Sequence, residues 1–132
     1  MSYVDLHVHS NASDGTLSPE QVVRLAHEAG LSAIALTDHD TTAGVAGAAE
    51  AGAELGLEVV PGIEVSSSFR DHEIHILGLF VDTDSPSLQA ALKEFRQHRD
   101  QRNQEMLGRF DAHGIHLTAE DLCAGNPDTV IT

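Results

Sequence analysis

Leu31-Ser32-Ala33-Ile34-Ala35-Leu36-Thr37-Asp38-His39-Asp40 decides the fold. Its first six residues are a nearly continuous apolar run of strand length, the pattern of a strand covered on both faces, as parallel sheets require. Upstream, Tyr3 to Val8 reads as a first strand. Ser18 then opens a helix with Pro19 in its first turn and Glu20 and Gln21 behind it, and Gly30 ends it. Downstream, Thr41 starts an alanine-rich helix to about Leu55, closed by Gly56. Leu57 to Val65 is a third strand, interrupted by Pro61-Gly62. A polar turn from Ser66 to His72 separates it from a fourth, Glu73 to Val81. Strands alternating with helices predict an α/β layer or barrel of parallel strands, with functional residues gathered at the strands' C-terminal ends.

The remainder has a different character. From Ser85, with Pro86 in the first turn, a helical pattern runs to about His113 and Gly114 closes it. Lys93, Arg96, Arg99, Arg102 and Arg109 are five of the chain's seven basic residues, so the composition of this helix differs from everything before it. The short stretch Ile115 to Leu117 and a capped helix from Thr118 follow. No internal repeat stands out, and the Ala/Gly-rich segment Ala43 to Ala53 reads as a helix packed closely on a sheet.

With 132 residues, 41% apolar and only 4% aromatic, the chain fits one core built from Ala, Val, Ile and Leu. A formal net charge of -14 argues against long nucleic acid as a partner. The single Cys123 forms no internal disulfide, and no leader or long apolar run marks export or membrane insertion. A cytoplasmic protein without membrane association is expected.

Asp5, His7 and His9 alternate, so all three project from one face of the first strand. Two imidazoles and a carboxylate are donors that zinc, manganese or iron accept, with His7 and His9 as ligands and Asp5 fixing a histidine tautomer from behind. One such residue at a strand end would be unremarkable surface; strict alternation of three reverses that reading. In Ser13-Asp14-Gly15, Asp14 can reach back as an oxygen ligand, although the tripeptide alone would be an ordinary turn. Asp38-His39-Asp40 ends the second strand. A helix N-cap with acidic first-turn residues would explain Asp40 but leaves His39 unexplained. Glu64, at the end of the third strand, either faces water or bridges metals. His75, among Ile74, Ile76 and Leu77, would by itself be an ordinary core histidine. Together these donors exceed what one tetrahedral ion needs, so two or three divalent ions are expected.

In Asp5-Leu6-His7-Val8-His9-Ser10, Ser13-Asp14-Gly15, Thr37-Asp38-His39-Asp40, Gly62-Ile63-Glu64 and the later His75, the chain resembles the PHP (polymerase and histidinol phosphatase) phosphoesterases, most closely their small stand-alone members. The resemblance implies a distorted β/α barrel of about seven strands holding a trinuclear metal site, with a mainly helical insertion. Residues 1–84 would be the N-terminal half of that barrel and 85–132 the start of the insertion. His7 and His9 would hold one ion, Glu64 would bridge, His75 would hold a second ion, and Asp14 with His39 a third. Family members add a histidine on a later strand and a final Asp-x-His pair. Nothing after His75 matches these, and His98, His113 and His116 lie on or just after the long helix. The chain therefore reads as a portion of a longer barrel, with exposed apolar sheet edges that a second copy or a C-terminal fragment would cover.

The expected chemistry is hydrolysis of a phosphomonoester of a nucleotide or sugar phosphate by a metal-bridging hydroxide, with Asp38 or Asp40 orienting ligands or passing a proton. On the long helix, Leu88, Leu92, Phe95, Met106 and Phe110 form one stripe, with Arg99 in it and Arg102 beside it. Those arginines either pair with nearby acids or clamp substrate phosphate. Two rival readings are a phosphodiesterase or exonuclease acting on nucleic acid, and a metal-binding module without catalysis.

Overall fold

Ser18 fixes the first helix: its hydroxyl accepts the Gln21 N–H and the Gln21 side chain accepts the Ser18 N–H, a reciprocal cap that, with Pro19 behind it, starts α1 at Pro19–Glu28. The computed structural model describes residues 2–70 and 72–122, so Cys123 lies outside the described residues. Around α1 the chain forms β1 (Tyr3–Val8), β2 (Leu31–Leu36), α2 (Val45–Leu55), β3 (Glu58–Phe69), β4 (His72–Leu79), α3 (Pro86–Ala112) and the short α4 (Ala119–Leu122). The strands form one sheet in the order β1-β2-β3-β4.

β1, β2 and β3 are parallel, as the alternation with helices predicts. The fourth strand departs from the parallel expectation and runs antiparallel to β3. The supposed turn from Ser66 to His72 is mostly strand, because Ser66 through Phe69 pair with β4, and Phe69 faces His72 across a two-residue connection. Arg70, in that connection, takes φ 49. Ser66 to Ser68 look like turn residues, but every second position still projects to the same face and the ladder satisfies their backbone.

Pro61 does not break β3: it pairs with Leu36, and its carbonyl accepts the Val81 N–H at 3.1 Å. Gly62 marks a close approach, since a Cβ there would lie 2.7 Å from Thr37 Cγ2 and 2.8 Å from the Leu36 carbonyl oxygen. The helix expected from Thr41 begins only at Val45. Asp40 donates its N–H to the Glu64 carbonyl at 2.9 Å, and Glu64 donates to the Asp38 carbonyl at 3.2 Å. Residues 38–40 thus continue alongside β3 past the end of β2, and the chain turns into the helix only after Asp40, at φ 52.

The core lies between the sheet and α1 with α2. Ile34 and Leu36 are fully buried against Val22, Val23 and Ala26 of α1, Ala48 and Ala51 of α2, and Leu57. Ala33 and Ala35 are also buried, so β2 is covered on both faces as its composition requires. At the sheet edges Tyr3, Val4 and Leu6 on β1 and Ile74, Ile76 and Leu77 on β4 are exposed, matching the expectation of open apolar edges. On α3 the predicted stripe is its least exposed face: Leu92 is buried, Leu88, Phe95, Arg99 and Met106 are half-buried, and Phe110 is exposed. Thr118 and Asp121 cap α4 reciprocally. None of the described helices is long and apolar enough to cross a membrane.

Gly52 shows how closely α2 lies on β3: an added Cβ would meet Val59 Cγ2 at 2.5 Å and the Leu57 carbonyl oxygen at 2.7 Å. Gly52→Ala gains helix propensity of about 1 kcal/mol but overpacks the core at a cost of about 1–3 kcal/mol. Net destabilisation is expected, read as a lower urea midpoint with an unchanged slope.

Candidate metal centre

Parallel pairing of β1, β2 and β3 aligns their C-terminal ends, and the antiparallel β4 delivers His75 to the same edge from the opposite direction. Glu64, 4% exposed, occupies the centre. Its Oε2 lies 3.1 Å from His7 Nε2, 2.9 Å from His9 Nε2 and 3.3 Å from His39 Nε2, while its Oε1 lies 3.2 Å from His75 Nδ1. The four rings form a continuous row, with centroid separations of 5.1, 4.7 and 4.9 Å from His7 through His9 and His39 to His75. Asp14 completes the group, with Oδ1 2.7 Å from His9 Nδ1 and Oδ2 3.6 Å from His39 Nε2. All six residues expected to bind metal are therefore brought together, from three strands and two loops. Two of them do not come from a strand's C-terminal end: Glu64 lies in the middle of β3, which runs on to Phe69 because Ser66 to Phe69 pair with β4, and His75 lies in the first half of the antiparallel β4.

Three donor sets emerge: His7, His9 and Glu64; His9, Asp14 and His39; His39, Glu64 and His75. The donors suit divalent cations. His9 Nε2, although near Glu64, lies outside hydrogen-bonding geometry, and among the described residues neither it nor His39 Nδ1 has a hydrogen-bond partner. A buried imidazole nitrogen without a partner is costly, and His9 Nε2, which faces Glu64, would be satisfied by a cation placed between them. Electrostatics points the same way. Burial pushes the Glu64 carboxyl upward, but the His7 hydrogen bond and the charges of His39, His7 and His9 outweigh it and hold the group below the usual carboxylate range. Asp14 is likewise held low, its burial outweighed by the His9 hydrogen bond and the His9 and His39 charges. Burial holds His39 below the usual histidine range despite Glu64 and Asp14, which favours the neutral form that binds metal. The hydrogen bond to Glu73 raises His75 against a small opposing effect of burial.

The other expected site residues have structural partners. Asp38 is 1% exposed; its Oδ1 accepts the Ser10 N–H at 2.7 Å and the Ser13 hydroxyl at 2.6 Å, and its Oδ2 accepts the Ser10 hydroxyl at 2.7 Å. These bonds fold the loop after β1 so that His9 and Asp14 face His39. Asp40 accepts the Ser66 N–H at 2.9 Å and an N–H of Arg99, whose guanidinium also donates to the Ser66 hydroxyl at 2.8 Å. Arg102 donates to Asn103 Oδ1 at 3.1 Å. Asp5, on the exposed edge strand, accepts the His7 backbone N–H at 3.1 Å. His113 and His116 are distant, bonding to Arg109 and Asp111 at the end of α3. Ser10, Ser13, Ser66 and Glu73 are contributors to which the sequence assigned no role. Only the adjacency of Ser10 and Ser13 to His9 and Asp14 hinted at the first two.

A family model described as PHP domain matches residues 5–121. The chain is 44% identical over 115 residues to a 3',5'-nucleoside bisphosphate phosphatase of Chromobacterium violaceum, covering 87% of this chain and 40% of that protein. It is 40% identical over 111 residues to a 5'-3' exoribonuclease of Haemophilus influenzae, covering 84% and 40%. A solved structure of an amidohydrolase from Chromobacterium violaceum, with bound sulfate and no metal, aligns with a TM-score of 0.88 and 40% identity over 98% of this chain and 46% of that one. The chain thus spans about 40% of the length of the curated relatives it matches.

Asp38→Ala leaves the Ser10 N–H and hydroxyl without an acceptor, each unmade bond to a charged group costing about 1.5–3 kcal/mol, while the Ser13 hydroxyl keeps Asp14 Oδ1 at 3.3 Å. The expected result is a markedly lower melting temperature together with weaker metal binding, checked by thermal denaturation with and without added divalent cation.

Proposed function

The chain belongs to the PHP domain family, and from that premise we propose that it is a metal-dependent phosphoesterase hydrolysing phosphomonoesters of nucleotides or sugar phosphates. The observation that carries this reading is the convergence of four imidazoles and the Asp14 carboxylate around Glu64. His7 and His9 would hold one ion, His39 and Asp14 another and His75 another, with Glu64 shared between donor sets. Two or three ions of zinc, manganese or iron fit these donors. When bound, such ions supply Lewis acidity toward phosphoryl oxygens and lower the pKa of a bound water toward about 7.

The chain's own residues supply placement. Asp38 holds the His9–Asp14 loop, and we assign it that role in place of proton transfer, since both its oxygens are engaged by donors. Asp40 holds Arg99 beside the metal edge. A cavity of about 800 Å³ is lined by Asp40, Ser66, Phe95, His98, Arg99 and Arg102 among others; it includes near neighbours in sequence of His39, Glu64 and His75 but none of the six donors themselves. Its size suits a small ligand. In an otherwise strongly acidic chain, its arginines offer planar forks to phosphate oxygens, with substrate competing against Asp40 for Arg99. The likeness to an exoribonuclease favours a second reading, in which the cavity takes the terminal nucleotide of a strand and the bond cleaved is a diester.

The test is metal analysis together with hydrolysis assays on a nucleoside monophosphate, a nucleoside bisphosphate and a short oligoribonucleotide. Release of inorganic phosphate from the first two is expected; release of nucleotides from the third alone would favour the diesterase. His7→Ala and His39→Ala should lower metal affinity by more than the roughly 10- to 100-fold typical of an outer partner. Retention of both metal and activity in either variant would overturn the site. Arg99→Ala should keep metal content and raise KM about 10- to 100-fold, the worth of one charge-assisted bond.

A further inference from the structure

Of the imidazoles around Glu64, His9 and His75 each have a second carboxylate against the ring nitrogen that faces away from it: Asp14 on His9 Nδ1 at 2.7 Å and Glu73 on His75 Nε2 at 3.2 Å. The two carboxylates differ in kind. Asp14 also faces His39 and belongs to one of the three donor sets, so it is itself placed to bind a cation. Glu73 belongs to none of them.

We propose that Glu73 is a positioning residue of the metal centre, which fixes His75 in the tautomer and rotation that present Nδ1 to a divalent cation shared with Glu64. The proposal rests on the metal-centre reading above. β4 places residues 73 and 75 two apart on the same face, so the carboxylate and the ring lie side by side without any loop to hold them. His75 Nδ1 is 3.2 Å from Glu64 Oε1. For Nδ1 to offer a lone pair, the proton must lie on Nε2, and Glu73 Oε1 is placed to accept it. A carboxylate behind a metal-binding histidine fixes the ring and raises its basicity. His75 has particular need of such a partner, because it lies on an edge strand and its side chain is 35% exposed, against 6% for that of His39. Packing therefore holds His39, whereas His75 depends on a hydrogen bond. Glu73, unlike His75, also lines the arginine-bearing cavity.

The test titrates the full chain with Co²⁺ and compares wild type, Glu73→Ala, Glu73→Gln, His75→Ala and the Glu73→Ala/His75→Ala double variant, following visible absorption and bound stoichiometry. Glu73→Ala is expected to weaken one ion about 10- to 100-fold, and Glu73→Gln, which keeps an acceptor oxygen, to weaken it less. In the His75→Ala background, Glu73→Ala should have no further effect, since it acts through that ring. Wild-type affinity and absorption in Glu73→Ala would overturn the proposal alone. An equal additional loss in the double variant would make Glu73 a direct ligand and also overturn it. A drop in the melting temperature of metal-free Glu73→Ala would reduce the role to fold stability. Absence of Co²⁺ binding in wild type would overturn this proposal and the metal-centre reading together.

Discussion

Three imidazole nitrogens, from His7, His9 and His39, lie within 3.3 Å of a single oxygen of the buried Glu64. Neutral imidazoles have one N–H each, and His9 Nε2 makes no hydrogen bond among the described residues. So many electron-rich atoms facing one anion repel one another unless positive charge lies among them. The backbone fixes where the centre of the cluster lies: Glu64 is bonded through its N–H to Asp38 and through its carbonyl to Asp40. Those two bonds join the end of β2 to β3 and place His39 opposite Glu64 as a bridge pair.

Everything else in the fold serves that junction. The core of Ile34, Leu36 and the small residues of α2 sets the height of β2 against its helices. Glycine at position 62 allows β2 and β3 to approach where the ligands begin. Short hydroxyl side chains then do at the sheet's edge what packing does beneath it. Ser10 and Ser13 bind the Asp38 carboxylate, and Ser66 shares Arg99 with Asp40. The carboxylates flanking His39 therefore divide the labour: Asp38 fixes the loop from β1, and Asp40 fixes the long helix.

That division was only partly legible in the sequence. Alternation in Asp5, His7 and His9, and the apolar run ending in Asp38-His39-Asp40, identify strands and ligands because side-chain direction follows strand period. The same period cannot tell a parallel neighbour from an antiparallel one, so the direction of β4 was misjudged. Ser66 to Phe69 resembled a turn because serine is common there, yet pairing with β4 satisfied their backbone and made them strand. Arg99 was visible as a cation within an apolar stripe, but its partner lies 59 positions earlier, and no local pattern links the two.

The sequence by itself determined the donor types, their order and the strands they lie on or follow, because these depend on residue identity and on periods of a few positions. It also determined the caps of α1 and α4, which are local hydrogen-bond choices. Only the tertiary structure decided that five donors from β1, β4 and two loops meet at the Glu64 carboxylate on β3, which nitrogen of each ring faces it, and that Asp38, Asp40 and Glu73 support neighbours. Those outcomes depend on distances between segments far apart in the chain, which are set when the sheet closes over its core and not by any one segment's preference.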